Sequence, residues 1–375
     1  MQLHKEWVDE IWTKINKKLE ITAPRSKDKI PYTSVNGVHD DMSEIIDMWT
    51  NGFWPGIMWL MYSETKNELY KNIAENVENK LDAAIEEFVD LHHDVGFMWL
   101  LSSVANYKLT GCEKSKKRGL HVASTLAGRF NPIGNYIRAW NKWLDDADVS
   151  GWAIIDCMMN IPLLYWATQE TGDPRFKQIA MKHADMVMEY FVRPDGSVKH
   201  IVELNPDTGE YIKNYAGQGY SEDSSWTRGQ SWALYGFVLS YIHTGKQEYL
   251  DTAKRIAHYF IANLQTDPVP PCDFRSPREP EYRDTTAGAC AACGLIEISN
   301  LVPEFEKDLY LNAALKILKA IEERYCDWSG SEDSIVQNGA LAYHSDFKNI
   351  LPLIYGDYYF IEAILKLRGS DLLLW

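Results

Sequence analysis

Residues 173–192 read DPRFKQIAMKHADMVMEYFV, and their spacing decides the fold. Asp173 can cap a helix and Pro174 suits its first turn, while Phe176, Ile179, Ala180, Val187, Tyr190 and Phe191 recur along one helical face. The stretch therefore predicts an amphipathic helix. Just upstream, residues 154–168 read IIDCMMNIPLLYWAT, apolar nearly all round, which predicts a helix buried on every side. The pair recurs along the chain. An aromatic residue followed three and four positions later by small or apolar residues opens further outer helices, at Tyr70/Ile73/Ala74, Tyr249/Thr252/Ala253 and Tyr310/Ala313/Ala314. Each follows an apolar, aromatic-rich segment, at 52–62, 226–241 and 286–298. Residues 94–107 with 116–130 read as another pair, and 356–367 as a last inner helix partnered by 6–19. Strand signals are few, the best being 198–202 before a Pro-Asp-Thr-Gly turn.

Buried and amphipathic helices alternating at roughly 60 to 70 residues predict stacked hairpins, each needing neighbours to cover its apolar face. Closed into a ring, they make an all-α (α/α)6 barrel, a single domain over residues 1–375 with its site where loops enter the inner helices. The open alternative is a helical solenoid.

Composition narrows the partners. A formal net charge of -15 repels a phosphate backbone, so nucleic acid is not expected. An anionic sugar meets the same field and needs a local cationic cluster acting within about a Debye length, ~8 Å in physiological salt. The first twenty residues carry charges throughout and lack the apolar core of a signal peptide, and no window reaches the ~18 apolar residues of a membrane span. A cytoplasmic protein off the membrane is expected. The six cysteines then read as thiols. Cys290 and Cys293 form a lone CxxC with no second ligand pair, read as two small helix residues rather than a zinc or redox site. No nucleophile elbow, Walker sequence or His-Glu-x-x-His motif is present, so neither a metal nor a cofactor is expected. Oligomeric state leaves no mark in the sequence.

Ionisable residues gather at the starts of the inner helices. Asp156, flanked by Ile154, Ile155, Cys157 and Met158, is expected to have its carboxyl raised by an apolar helix, as a general acid near neutral pH requires. Asp94, after His92 and His93, stands in a more polar setting and is expected to stay ionised, so the two aspartates can divide roles. A capping role for Asp156, and backbone or solvent partners for the histidines, are the plainer alternatives. Trp49, Trp140, Trp226 and Trp232 sit before or at inner helices. Core packing explains most tryptophans, but Trp49 and Trp140, in polar turn-like settings, offer a flat apolar face beside amides that suits a sugar ring. Arg228 offers a planar fork for a carboxylate, unless it merely ties Trp226 and Gln230 into the wall.

At these residues the chain resembles the unsaturated glucuronyl hydrolases of glycoside hydrolase family 88. The resemblance runs through WTNGFW (49–54), HHDVGF (92–97), IIDCMMN (154–160), SSWTRGQ (224–230), RDTTA (283–287) and GDYY (356–359). It implies a six-hairpin (α/α) barrel that takes a 4,5-unsaturated uronic acid at the non-reducing end of lyase-generated oligosaccharides. It also implies that Asp156 protonates C4 of the enol ether and then, as carboxylate, helps water add at C5. The resulting hemiketal opens and the glycosidic bond is lost. Asp94 and His93 are implied to contact the sugar, with His200, Gln218 and Arg228 as polar contacts and Trp49, Trp140, Trp226 and Trp232 as aromatic walls. Near the C-terminus the chain departs from the Ser-x-x-Ser-x-Lys run of members that accept sulfated disaccharides: it has Ala342, Ser345 and Phe347, with Lys348 displaced by one. Ser345 remains as a substrate contact, and a sulfate preference is not implied. Two competitors remain: a sibling unsaturated galacturonyl (rhamnogalacturonyl) hydrolase, and a non-catalytic carbohydrate-binding helical barrel.

Overall fold

The computed structural model describes residues 2–88, 90–141, 148–264, 266–344 and 350–375. The inner helices are Phe53–Thr65, a run through Val95–Trp99, Leu100–Val104 and Ala105–Thr110, then Pro162–Thr171, Thr227–Thr244, Thr285–Leu301 and Ile354–Leu367. Most of their residues are buried on every side, so each is covered all round. Successive inner helices pack together and Ile354–Leu367 packs back on Phe53–Thr65, closing the ring that a solenoid would leave open.

Glu68–Lys80, Glu113–Ala127, Pro174–Tyr190, Gln247–Asn263 and Glu304–Tyr325 form the outer layer, and Gln2–Arg25 completes it against the last inner helix. The fold is the (α/α)6 barrel. Each hairpin turn is cut by helix chemistry: Gly172 (φ +72°) and Gly245 (φ +70°) end inner helices in the left-handed region, and their amides bond Thr168 and Tyr241 carbonyls. Asp173 then caps the outer helix through the Arg175 amide at 3.0 Å. Trp54, Trp59, Trp99, Trp166 and Trp232 fill the interior, each fully buried. Burial of a large apolar side chain is worth roughly 1.5–3 kcal/mol.

Two expectations need correction. Residues 154–168 are not one helix: Trp152–Ile154 is a strand, Ile155–Met159 a 3-10 turn, and the α-helix begins at Pro162. Proline lacks the N–H that an interior helical position donates and disfavours helical geometry before it, so Pro162 serves as a helix start. The strand near His200 is Ile201–Leu204, not 198–202, because the Val198 amide donates to Gln230 Oε1 at 2.9 Å instead of joining the ladder. Ile201–Leu204 pairs antiparallel with Trp152–Ile154 and with Tyr211–Tyr215. No helix among the described residues is long and apolar enough to cross a membrane.

Candidate active site

The inner helices all begin at one end of the barrel, and the residues singled out by sequence cluster there. Asp94 immediately precedes Val95–Trp99, Asp156 lies in the turn before Pro162–Thr171, and Trp226 caps Thr227–Thr244. Helix dipoles present their positive ends at N-termini, so this mouth favours an anion despite the net charge.

Asp94 is buried, and its setting is polar, as expected. Its Oδ1 accepts from Asn160 Nδ2 at 3.1 Å, and its Oδ2 faces His92 Nδ1 and His93 Nε2, each at 3.4 Å. Burial alone would raise the carboxyl, but His93, His92 and the Asn160 amide outweigh it and hold Asp94 below the ordinary carboxylate range. It is ionised because of its partners. His92 itself is lowered to about 4, chiefly by burial, so its ring is neutral at pH 7.

Asn160 is the residue that sequence reasoning quoted but gave no role. Its Nδ2 bonds both Asp94 Oδ1 and the Asp156 carbonyl, each at 3.1 Å, while its Oδ1 accepts from the Phe97 amide at 2.7 Å. One side chain thus ties together the segments carrying the two aspartates. The approach depends on Gly96, where any Cβ would lie 2.4 Å from Asn160 Cα. The paired signals were present in the sequence, as HHDVG and DCMMN, but their contact is tertiary.

Asp156 lies in a 3-10 turn with 16% of its side chain exposed, so the premise of enclosure in an apolar helix does not hold. Its Oδ2 is inaccessible from outside and has no hydrogen-bond partner, and His200 Nε2 stands 3.6 Å away. That is too long for a hydrogen bond. The Gln218 amide can only donate, and it reaches His200 Nδ1 at 3.0 Å. The Ala216 carbonyl, which can only accept, lies 3.1 Å from the same Nδ1. Trp226 fixes the ring plane from behind, at 4.3 Å between centroids.

Several expected sugar contacts are turned inward. Arg228 is 1% exposed, and its terminal nitrogens donate to Ala340 O (2.6 Å), Leu341 O (2.9 Å) and Asp284 Oδ2 (3.3 Å). The fork expected for a substrate carboxylate is occupied by backbone carbonyls and a buried partner. Gln218 Nε2 likewise donates to Leu341 O, at 2.7 Å. Both residues grip the segment leading to Ser345, which lies outside the described residues. Trp232 is wholly buried beneath Phe97, at 5.3 Å, and forms core rather than wall. Trp226 is also buried, apart from the contact with His200. Trp49 is half-buried over Phe53, Phe97 and Tyr355, and Trp140 is half-buried beside Trp152 at 6.1 Å. Tyr355 and Asp284 also belong to this neighbourhood: Tyr355 lies under both Trp49 and the Arg228 guanidinium, and Asp284 accepts from that guanidinium.

A closed helical barrel with two aspartates, a histidine and tryptophans at its mouth has the parts of a glycoside hydrolase. Residues 22–267 match the description Glycosyl Hydrolase Family 88, and the chain belongs to that family. It is 35% identical over 358 residues to the unsaturated glucuronyl hydrolase of Bacillus sp. strain GL1, spanning 93% of this chain and 94% of that one. It is 34% identical over 381 residues to the unsaturated chondroitin disaccharide hydrolase of Streptococcus pneumoniae, spanning 100% and 95%. The crystal structure of unsaturated glucuronyl hydrolase from Streptococcus agalactiae superposes with a TM-score of 0.90 at 31% identity, covering 99% of this chain and 94% of that one.

Proposed function

We propose that residues 1–375 act as one catalytic unit that releases 4,5-unsaturated glucuronic acid from the non-reducing end of lyase-generated oligosaccharides. The observation that carries this reading is the partly exposed Asp156 carboxyl at the barrel mouth, with His200 Nε2 3.6 Å away. A protonated Asp156 delivers its proton to C4 of the enol ether, and positive charge develops at C5. The carboxylate left behind accepts a proton from water as its oxygen bonds to C5. The hemiketal opens to an α-keto acid and frees the shortened sugar, so the net change is addition of one water. Ionised Asp94, together with His93, holds the ring, Trp49 and Trp140 flank it, and His200 contacts it beside Asp156. The positive ends of the inner helices supply attraction for the uronate, while Arg228 and Gln218 act through the 340–343 segment. The relatives named for chondroitin disaccharides support that substrate class. The missing Ser-x-x-Ser-x-Lys run favours an unsulfated leaving sugar. Six unpaired thiols support a cytoplasmic location.

A panel of lyase-generated disaccharides, followed by loss of the enol-ether carboxylate absorbance, tests the reaction. Unsulfated unsaturated chondroitin disaccharide is expected to turn over fastest, at a rate unchanged by EDTA. Turnover of an unsaturated galacturonyl substrate alone would assign the sibling activity, and reproducible loss with EDTA, restored by one metal, would overturn the metal-free mechanism.

Asn160→Ala removes a hydrogen bond to a charged group, worth about 1.5–3 kcal/mol, and should lower kcat/KM by at least tenfold. Because that bond helps keep Asp94 ionised, the acid limb of the pH profile should move to higher pH. A lower melting temperature with an unmoved acid limb would leave Asn160 as packing alone.

A further inference from the structure

Asp94 Oδ2, the oxygen that Asn160 does not hold, has two imidazole neighbours at equal range, His92 Nδ1 and His93 Nε2 at 3.4 Å. That exceeds the roughly 2.7–3.2 Å of a good N–H···O hydrogen bond. It matches the edge of a tetrahedron, since ligands on ~2.0–2.1 Å bonds to one zinc ion stand about 3.3 Å apart. The three donor atoms all lie within 4.8 Å of one another. We propose that His92, His93 and Asp94 form a three-ligand site for a Zn²⁺-class cation, and that the ion inhibits the enzyme by occupying the carboxylate that the sugar needs.

The donor set selects the ion. Two imidazole nitrogens and one carboxylate oxygen suit a borderline transition metal, whereas Mg²⁺ and Ca²⁺ seek six or more oxygens. Three protein ligands leave the fourth tetrahedral position to water. The carboxylate is already oriented, because Asn160 Nδ2 holds Oδ1 at 3.1 Å and turns Oδ2 toward both rings. Against this, the ion displaces the Asp94 amide from His92 Nδ1, a weak contact at 3.3 Å. Binding rests on the donor geometry alone. Its effect on turnover rests on the role proposed for Asp94, so the two are measured separately.

The metal-free protein is titrated with Co²⁺ by visible absorption and with Zn²⁺ by calorimetry, alongside His92→Asn and Asp94→Asn whose melting temperatures confirm folding. One equivalent of tetrahedral Co²⁺, displaced by Zn²⁺, is expected in the parent, with affinity at least tenfold weaker in each variant. In turnover of the unsaturated chondroitin disaccharide, Zn²⁺ should raise KM at constant kcat, and EDTA should reverse it. Relative to its own zinc-free rate, His92→Asn should be at least tenfold less sensitive. Equal Co²⁺ and Zn²⁺ affinity in all three proteins would overturn the site. Binding lost in the variants but without effect on parental turnover would overturn the inhibition, and with it the sugar-holding role of Asp94.

Discussion

Asp156→Asn is expected to lower kcat by at least a hundredfold while leaving melting temperature and substrate affinity near those of the parent. Proton transfer by a positioned side chain is worth typically ~10²–10⁴-fold, and an amide of the same shape can neither give up nor retrieve the proton. Structural cost is small because Asp156 Oδ2 holds no hydrogen bond that the amide would break. The nearest ring atom, His200 Nε2 at 3.6 Å, is not bonded to it either. Steady-state kinetics on the unsaturated disaccharide, with substrate binding measured by calorimetry, separates the two effects. A variant retaining more than about a tenth of the parental rate would remove Asp156 from the acid–base role. Equal loss of binding and rate would make it a binding residue.

Arg228→Ala should act chiefly on stability. The guanidinium reaches Asp284 Oδ2 at 3.3 Å, and both groups are buried. Asp284 Oδ1 caps its helix through the Thr286 and Ala287 amides, so Oδ2 depends on Arg228. Deleting one member of a buried ion pair leaves an uncompensated charge and costs about 3–5 kcal/mol. The Ala340 carbonyl also loses its donor, while Leu341 O keeps Gln218 Nε2. A fall in melting temperature of about 5 °C is expected. Activity should drop to a similar extent on a free uronic acid and on its methyl ester, because the fork faces the 340–341 backbone. Arg228→Lys keeps the charge but cannot span both carbonyls, and should recover only part of the lost stability. A variant that kept its melting temperature yet lost activity selectively on the free acid would restore the direct carboxylate contact that sequence reasoning assigned.

The hairpin repeat was legible because periodicity records burial directly. A segment apolar all round must be enclosed, and a segment with one apolar stripe must lie against it. That logic placed inner and outer helices, paired the first helix with the last, and brought Asp94, Asp156, Trp226 and Arg228 to helix starts at one end. It erred where a short signal competed with the pattern. Pro162 stops the helix that the apolar run 154–168 suggests, and the two strands that meet beside Asp156 carry too few residues to announce themselves.

What the sequence determined by itself is therefore the barrel, its order of helices and the set of chemical groups at its mouth, since these follow from spacing along one chain. Which way each group faces was decided only by the tertiary structure. Arg228, Gln218 and Trp232 have the composition of a sugar site, yet their partners come from segments distant in sequence: the 340–341 carbonyls for the first two and Phe97 for the third. Asn160 reads as one more polar residue until folding sets it between two aspartates, 66 residues from the carboxylate it holds. A side chain's free hydrogen-bonding capacity is what remains after its neighbours have been satisfied, and those neighbours are known only once the ring has closed.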